Sequence, residues 1–339
     1  MKKWSLFALA SAGLISHSAQ AQQQLSVICS MQADWCNSAK TEFEKTSGIK
    51  VNMSLKSSGE TYAQIKAESA NPKTDIWYGG TGDPHLQAAE ENLTQEYRSP
   101  KMNELHSWAT HQAQIAGYKT VGVYAGALGY GYNAELLVKK KLPEPKCWAD
   151  LTKPEYKGEI QIANPNASGT AYTALATLVQ VFGEDKAFEL LKNMHKNVSQ
   201  YTKSGAAPIK ASARGETFIG VSFLHDVVGE KVAGFPVTTV SPCEGTGYEI
   251  GSMSIIKGAR NLEGAKAFYE WALTPEAQKL AAPAKQFQLP SNKAAPQPPE
   301  APRFSDVKLI NYDTKKYGSS AERKRLLDKW EKEVNSLPR

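Results

Sequence analysis

Hydrophobic and polar positions along this chain switch repeatedly between two periods. Short apolar runs bounded by turn residues predict strands, and apolar residues three and four apart predict helices. Leu25-Ser26-Val27-Ile28-Cys29 is the first strand pattern, and residues 34–46 follow with Trp35, Ala39 and Phe43 on one helical face. Residues 51–55 alternate as a second strand. A helix is predicted over 60–69 with Tyr62 and Ile65 inward. Asp75-Ile76-Trp77-Tyr78 reads as a third strand, before a helix that ends near Glu91. Such alternation predicts βαβ units on a parallel sheet. Ligands sit beyond the carboxyl ends of strands in these sheets. Ser30, Ser57, Ser58, Gly80 and Thr81 therefore form a candidate binding edge.

The run VGVYAGALGYGY, residues 121–132, is apolar and Gly-punctuated, as expected of a strand that leaves one domain for a second. A short helix is predicted over 133–141, then a Pro-marked loop passage through Cys147-Trp148, then a strand over 160–163. Helices are predicted over 172–182 and 185–196, and a loop and helix over 204–213. A strand over 218–224 stops at His225-Asp226. After a turn, a β-rich run over 235–240 leads to a Gly-rich segment carrying Glu249. A strand over 252–256, an amphipathic helix over 261–273 and a short helix from Pro275 come next. A Pro- and Ala-rich surface loop over 289–302 precedes a charged tail helix over 321–334. This order predicts an α/β protein of two lobes joined by a hinge, with one lobe built from 22–125 plus 247–339 and the other from 126–246.

The 339 residues suffice for two domains, and 41% hydrophobic with 22% charged is ordinary for a soluble globular protein. The first 21 residues read differently. Lys2-Lys3, an apolar stretch from Trp4 to Ile15 and Ala19-Gln20-Ala21 make a cleavable export signal. No Cys follows the cleavage site, which argues against a lipid anchor, so the mature protein is expected soluble in the periplasm. The formal charge of +6 is modest and compatible with an anionic ligand. Arg323-Lys324-Arg325 lies among acidic residues in a helical pattern and reads as a solvated face rather than a nucleic-acid patch. Four cysteines in an exported chain predict two disulfides. Three pairings are possible; Cys29–Cys36 with Cys147–Cys243 is favoured, the first because it closes a short local loop.

Two constellations carry candidate chemistry. His225 and Asp226 at a strand end, with Glu249 on the next crossing, suit a pocket that reads hydroxyl groups, since carboxylates accept and imidazole both donates and accepts. A solvated His-Asp pair is the plainer reading of the two residues taken alone. Ser57-Ser58-Gly59, Gly80-Thr81-Gly82 and Ser168-Gly169-Thr170 each stand at a predicted helix entry, where free N–H groups, hydroxyls and the helix dipole favour phosphate. Ordinary helix capping uses the same residues. Trp35, Trp77 and Tyr78 are either an aromatic wall for a sugar or core residues. The histidines show no metal-ligand spacing, no Tyr-Tyr pair is present for ferric iron, and neither a GxxxxGK[ST] loop nor a GxSxG elbow occurs. No metal, cofactor or catalytic set is expected.

The segments SSGETYAQI, DIWYGG, GALGYGYN, CWADLTKPEYKGEI, NPNASGTAY and GYEIGSMSIIKGARN resemble extracellular solute-binding proteins of ABC importers, in the branch that includes the ferric-iron-binding proteins. Within that branch, FLHD at 223–226 and PCEGTGYEIG at 242–251 resemble the AfuA-type periplasmic hexose-phosphate-binding proteins. The resemblance implies a type II binding-protein fold, a monomer that closes on a hexose 6-phosphate and delivers it to an inner-membrane permease. It implies His225, Asp226 and Glu249 for the sugar hydroxyls, and Ser57, Ser58, Thr81, Ser168, Gly169 and Thr170 for the phosphate. Iron or an organophosphonate are the alternative cargoes, and a secreted phosphosugar hydrolase is the alternative of another class.

Overall fold

The computed structural model describes residues 24–339, so the expected export signal, residues 1–21, lies outside the described residues. In chain order the first elements are β1 (Leu25–Cys29), α1 (Ala33–Ser47), β2 (Val51–Leu55), α2 (Ser58–Ala67), β3 (Ile76–Tyr78), α3 (Gly82–Glu90) and α4 (Ser107–Ile115). Next come β4 (Val121–Asn133), α5 (Ala134–Lys140), β5 (Ile160–Ala163), α6 (Gly169–Phe182), α7 (Glu184–His195) and β6 (Val198–Thr202). They are followed by α8 (Ala207–Ala213), β7 (Ile219–Phe223), α9 (Leu224–Val232), β8 (Val237–Val240) and β9 (Tyr248–Ile255). The last are α10 (Leu262–Ala272), α11 (Pro275–Gln278), β10 (Leu289–Pro290), α12 (Thr314–Tyr317) and α13 (Ser320–Trp330).

The long strand β4 organises the sheet. Every one of its residues is buried. Its first part, from Val121 to Ala127, pairs antiparallel with β9, and from Leu128 onward it pairs with β7 and β8. On one side, β9 continues to β3, β1 and β2, the last three parallel; on the other, β7 continues to β5 and β6, also parallel. Each side has its own apolar core. One gathers Trp35, Phe43, Tyr78 and Phe268, the other Trp148, Tyr156, Tyr172 and Phe218. Aromatic and aliphatic side chains thus fill a separate buried core on each side.

Several local expectations change. His225 and Asp226, expected at a strand end, lie in the first turn of α9, which follows β7 directly. Residues 198–202 form β6, an edge strand that the sequence pattern did not suggest. Leu289–Pro290 is a short strand on β4 rather than surface loop. The tail was grouped with the first half. Tyr312, Tyr317, Leu326, Trp330 and Val334 instead pack in the core of the second, because the apolar stripe of α13 finds its cover there beside Tyr172, Phe188 and Leu191. Arg325 fixes that docking with a two-pronged contact to Glu184, at 2.9 and 2.7 Å. Cys29–Cys36 and Cys147–Cys243 are both disulfides. Among the described residues, no helix is long and apolar enough to cross a membrane.

Candidate ligand-binding site

A helix start leaves backbone N–H groups unpaired and carries the positive end of the helix dipole. Six helices of this fold direct that end at one cavity of about 380 Å³ between the two halves. The residues that precede them, Gln32, Ser57, Thr81, Ser168, Ala206 and Phe223, all line it. The cause is topological: strands of a parallel sheet point their carboxyl ends the same way, so the helices that follow start at the same edge. Ser57, Ser58, Thr81, Ser168, Gly169, Thr170, His225, Asp226 and Glu249 all lie on this cavity wall, whereas Gly59 and Gly82 do not.

The hydroxyl-bearing residues form one cluster. Ser57 and Glu60 make a reciprocal capping box at the start of α2, and Ser57 Oγ also donates across the cavity to the Lys203 carbonyl at 2.9 Å. Thr81 N donates to Ser58 Oγ at 3.2 Å, and Gly80 N donates to the Tyr124 hydroxyl at 3.0 Å. Ser168 caps α6. Two glycines let the halves meet here. Gly59 N donates to the Ala167 carbonyl at 2.9 Å, and a Cβ on Gly59 would stand 2.3 Å from the Asn166 oxygen. A Cβ on Gly169 would stand 1.8 Å from Thr81 Oγ1, a hydroxyl that is buried without a partner. Lys56 and Lys203 add cations to the rim.

The second cluster is carboxylate and imidazole. His225 Nε2 is 3.9 Å from Asp226 Oδ1 and 3.7 Å from Glu249 Oε1. These separations exceed hydrogen-bond length, so the three groups face one another with capacity to spare. Burial pulls His225 below its usual range, against the pull of Asp226. Burial pushes Glu249 well above the usual carboxylate range, and Asp226 and Asp83 push further in the same direction. A neutral imidazole and a protonated carboxyl both donate and accept, which is what a set of hydroxyls requires. The Phe223 ring lies nearly parallel to His225, with centroids 5.4 Å apart. Buried Ser222 joins the clusters: its hydroxyl is 2.7 Å from Asp226 Oδ2 and 2.9 Å from the Gly205 carbonyl, with one proton to give.

Trp35, Trp77 and Tyr78 are core residues; Trp77 stacks on buried His85 at 3.6 Å. The aromatic wall is Tyr124 and Phe223 instead. Gln32, Lys56 and Lys203 were also missed. Gln32 was within reach, since it follows β1 at the same edge that gave Ser57 and Thr81. Lys203 follows β6 and was lost with that strand. Among the described residues, the one group of three metal-binding side chains whose ligand atoms all lie within 4.8 Å of one another is Cys147, Cys243 and Glu244, and its two sulfurs are held in a disulfide.

A two-half sheet, one long strand shared by both halves and a cavity at the carboxyl edge make a ligand-capturing architecture. Residues 71–316 match the family described as bacterial extracellular solute-binding protein. This chain belongs to that family. Two solved relatives share its two-lobed fold. The periplasmic binding protein AfuA from Actinobacillus pleuropneumoniae, with exogenous fructose-6-phosphate bound, is 47% identical with a TM-score of 0.90 over 93% of this chain and 99% of that one. The periplasmic binding protein P5PA is 41% identical with a TM-score of 0.89, over 92% and 99%. An uncharacterized protein of Haemophilus influenzae (strain ATCC 51907 / DSM 11121 / KW20 / Rd) is 48% identical over 96% of this chain and 95% of its own. The protein is a solute-binding component of ABC-importer type, with the two lobes joined by a hinge. Proteins of this type deliver small ligands to an ABC permease and are not enzymes.

Proposed function

We propose that this protein captures a sugar phosphate, a hexose 6-phosphate, in the periplasm as a monomer and hands it to an inner-membrane ABC permease. One observation carries the reading. A single cavity joins helix starts and hydroxyls, suited to phosphate, with an imidazole and two carboxyl groups, suited to sugar hydroxyls. In this reading Ser57, Ser58, Thr81, Ser168, Gly169 and Thr170 hold the phosphate, and His225, Asp226 and Glu249 hold the sugar. The fructose-6-phosphate bound by AfuA supports the same cargo class here. The lobes divide near residues 125 and 247, with the tail from Tyr312 riding on the second lobe. Closure then follows from ligand contacts that only the closed state completes.

Iron fits the cavity less well. A hard trivalent cation wants ionised oxygen ligands. Burial, with Glu249 adding to it, pushes the Tyr124 phenol well above its ordinary range, and the Glu249 carboxyl is pushed up as well. A phosphonate lacking hydroxyls would leave the remaining acceptor sites of Asp226, and Glu249, without a ligand partner.

Calorimetric titration of the mature protein with glucose 6-phosphate, free glucose and inorganic phosphate tests the reading. The expected order is strong binding of the sugar phosphate, weaker binding of phosphate and little response to glucose. Silence to all three ends the sugar-phosphate assignment, and steady release of inorganic phosphate during incubation would instead support a hydrolase.

A further inference from the structure

One side chain on the cavity wall has a fixed orientation that the functional reading above does not use. Gln32 precedes α1 in the first lobe, and its side chain does not cap its own helix. It reaches across the cleft instead. Lys210, on α8 of the second lobe, donates from Nζ to Gln32 Oε1 at 2.9 Å. Gln32 Nε2 donates to Asp226 Oδ1 at 3.3 Å. An ammonium group can only donate and a carboxylate can only accept, so these two partners leave the amide one orientation. Its oxygen must face Lys210 and its NH2 must face Asp226.

That NH2 carries two hydrogens, and Asp226 takes one. Asp226 accepts from Gln32 at Oδ1, and its Oδ2 shares the single Ser222 hydroxyl proton with the Gly205 carbonyl, yet a carboxylate has about four acceptor sites. The two groups therefore offer complementary halves of one contact. Asp226 can take the proton of a ligand hydroxyl, and the second amide hydrogen of Gln32 can be given to the oxygen of that same hydroxyl. We infer that Gln32 is a specificity-determining residue which, with Asp226, reads one hydroxyl of the ligand from both sides, and that Lys210 is a positioning residue acting through it. This rests on the sugar-phosphate reading. Gln32 and Asp226 come from different lobes, so the pair is complete only in the closed molecule, and a ligand without that hydroxyl leaves it half-satisfied.

The groups around the relay agree with this arrangement. Glu230, also on α9, is held above the usual carboxylate range by burial, with Lys210 drawing it down and Asp226 pushing it up. Lys210, Arg214 and Lys285 all draw Glu230 down, and a neutral amide at position 32 adds no further negative charge to the site. An acidic residue there would.

The test is titration of the mature chain with glucose 6-phosphate and inorganic phosphate, using Gln32→Leu, Gln32→Glu, Lys210→Met and the Gln32→Leu/Lys210→Met double variant. Gln32→Leu should weaken glucose 6-phosphate binding about tenfold while leaving phosphate within about twofold, and Gln32→Glu should weaken the sugar phosphate more. Lys210→Met should cost less, and the double variant should be no weaker than Gln32→Leu alone, since a residue that acts through Gln32 has nothing left to orient. Losses that add in the double variant, an equal loss for phosphate, or unchanged binding in Gln32→Leu overturn the inference while the functional reading stands. Failure of the unaltered protein to bind glucose 6-phosphate overturns that reading first, and this inference with it.

Discussion

The two clusters that meet at Ser222 are made from different parts of the polypeptide. The hydroxyl cluster is mostly main chain: helix starts, glycines that permit close approach, and short Ser and Thr side chains that also serve as caps. The carboxylate cluster is side chain alone: His225 and Glu249 are buried and Asp226 partly so, and neither carboxylate lies within hydrogen-bond distance of His225. The first is distributed over many groups and cannot be removed by deleting one atom. The second is concentrated, so each member should matter more. The same contrast separates affinity from discrimination: dipoles and N–H groups attract any small anion, whereas buried acceptors reject a ligand that fails to pair with them.

The largest effect should come from closing the space that the main-chain cluster depends on. In Gly169→Val, the added atoms would meet Thr81 where the lobes touch, and binding of sugar phosphate and inorganic phosphate should both fall about a hundredfold or more. Retained affinity would mean that the lobes need not approach this closely.

Asp83 sharpens the comparison next, because it is a buried carboxylate on α3 that Tyr312 and Thr173 approach with hydroxyls at 3.3 and 3.4 Å. Burial pushes it up to about 6 from 3.8, with Arg323 and the two hydroxyls drawing it back. A carboxyl raised in the fold keeps its proton between those values while the unfolded chain has lost it. Stability therefore falls as pH rises through that window and levels off above about pH 6. Asp83→Asn removes the slope. Relative to the unaltered protein it should gain roughly 3 kcal/mol between about pH 4 and about pH 7 in urea unfolding. Parallel profiles for the two proteins would contradict the assignment.

Asp226→Ala and Glu249→Ala should each weaken sugar-phosphate binding at least about tenfold and leave phosphate binding alone. If both retain full affinity, the carboxylate cluster does not read the ligand. Ser57→Ala and Thr81→Ala should be milder, about two- to fivefold for either ligand, because the N–H groups remain when one hydroxyl goes. A loss there as large as that of Asp226→Ala would erase the distinction between the clusters.

Much of this arrangement was legible in the chain because strands and their turns advertise themselves locally. IGVSF is a largely apolar run, and Ser-Gly and Gly-Thr pairs mark helix entries whether they cap the helix or also meet an anion. What the pattern concealed follows from weak local preference. The segment LHDVVGEKV carries two adjacent valines and a glycine, poor helix formers, and periodicity alone did not mark it. It is helical because Val227 packs into a small core with Ile209, Ala213 and Val237. The strand VSQYT buries only Val198 and Thr202 fully, and it exists because β5 offers an edge to pair with.

Sequence alone determined the alternation of elements, the helix starts, the pair of disulfides as the favoured connectivity and the residue types suited to an anion and to hydroxyls. These are properties of neighbours along the chain: caps act over three residues and strand patterns over five or six. Only the tertiary structure decided that Gln32 faces Asp226, that Lys210 fixes its amide, that Tyr124 rather than Trp77 walls the cavity and that the tail packs on the second lobe. Those facts join residues far apart in the chain, and packing of whole elements, which no local preference encodes, brings them together.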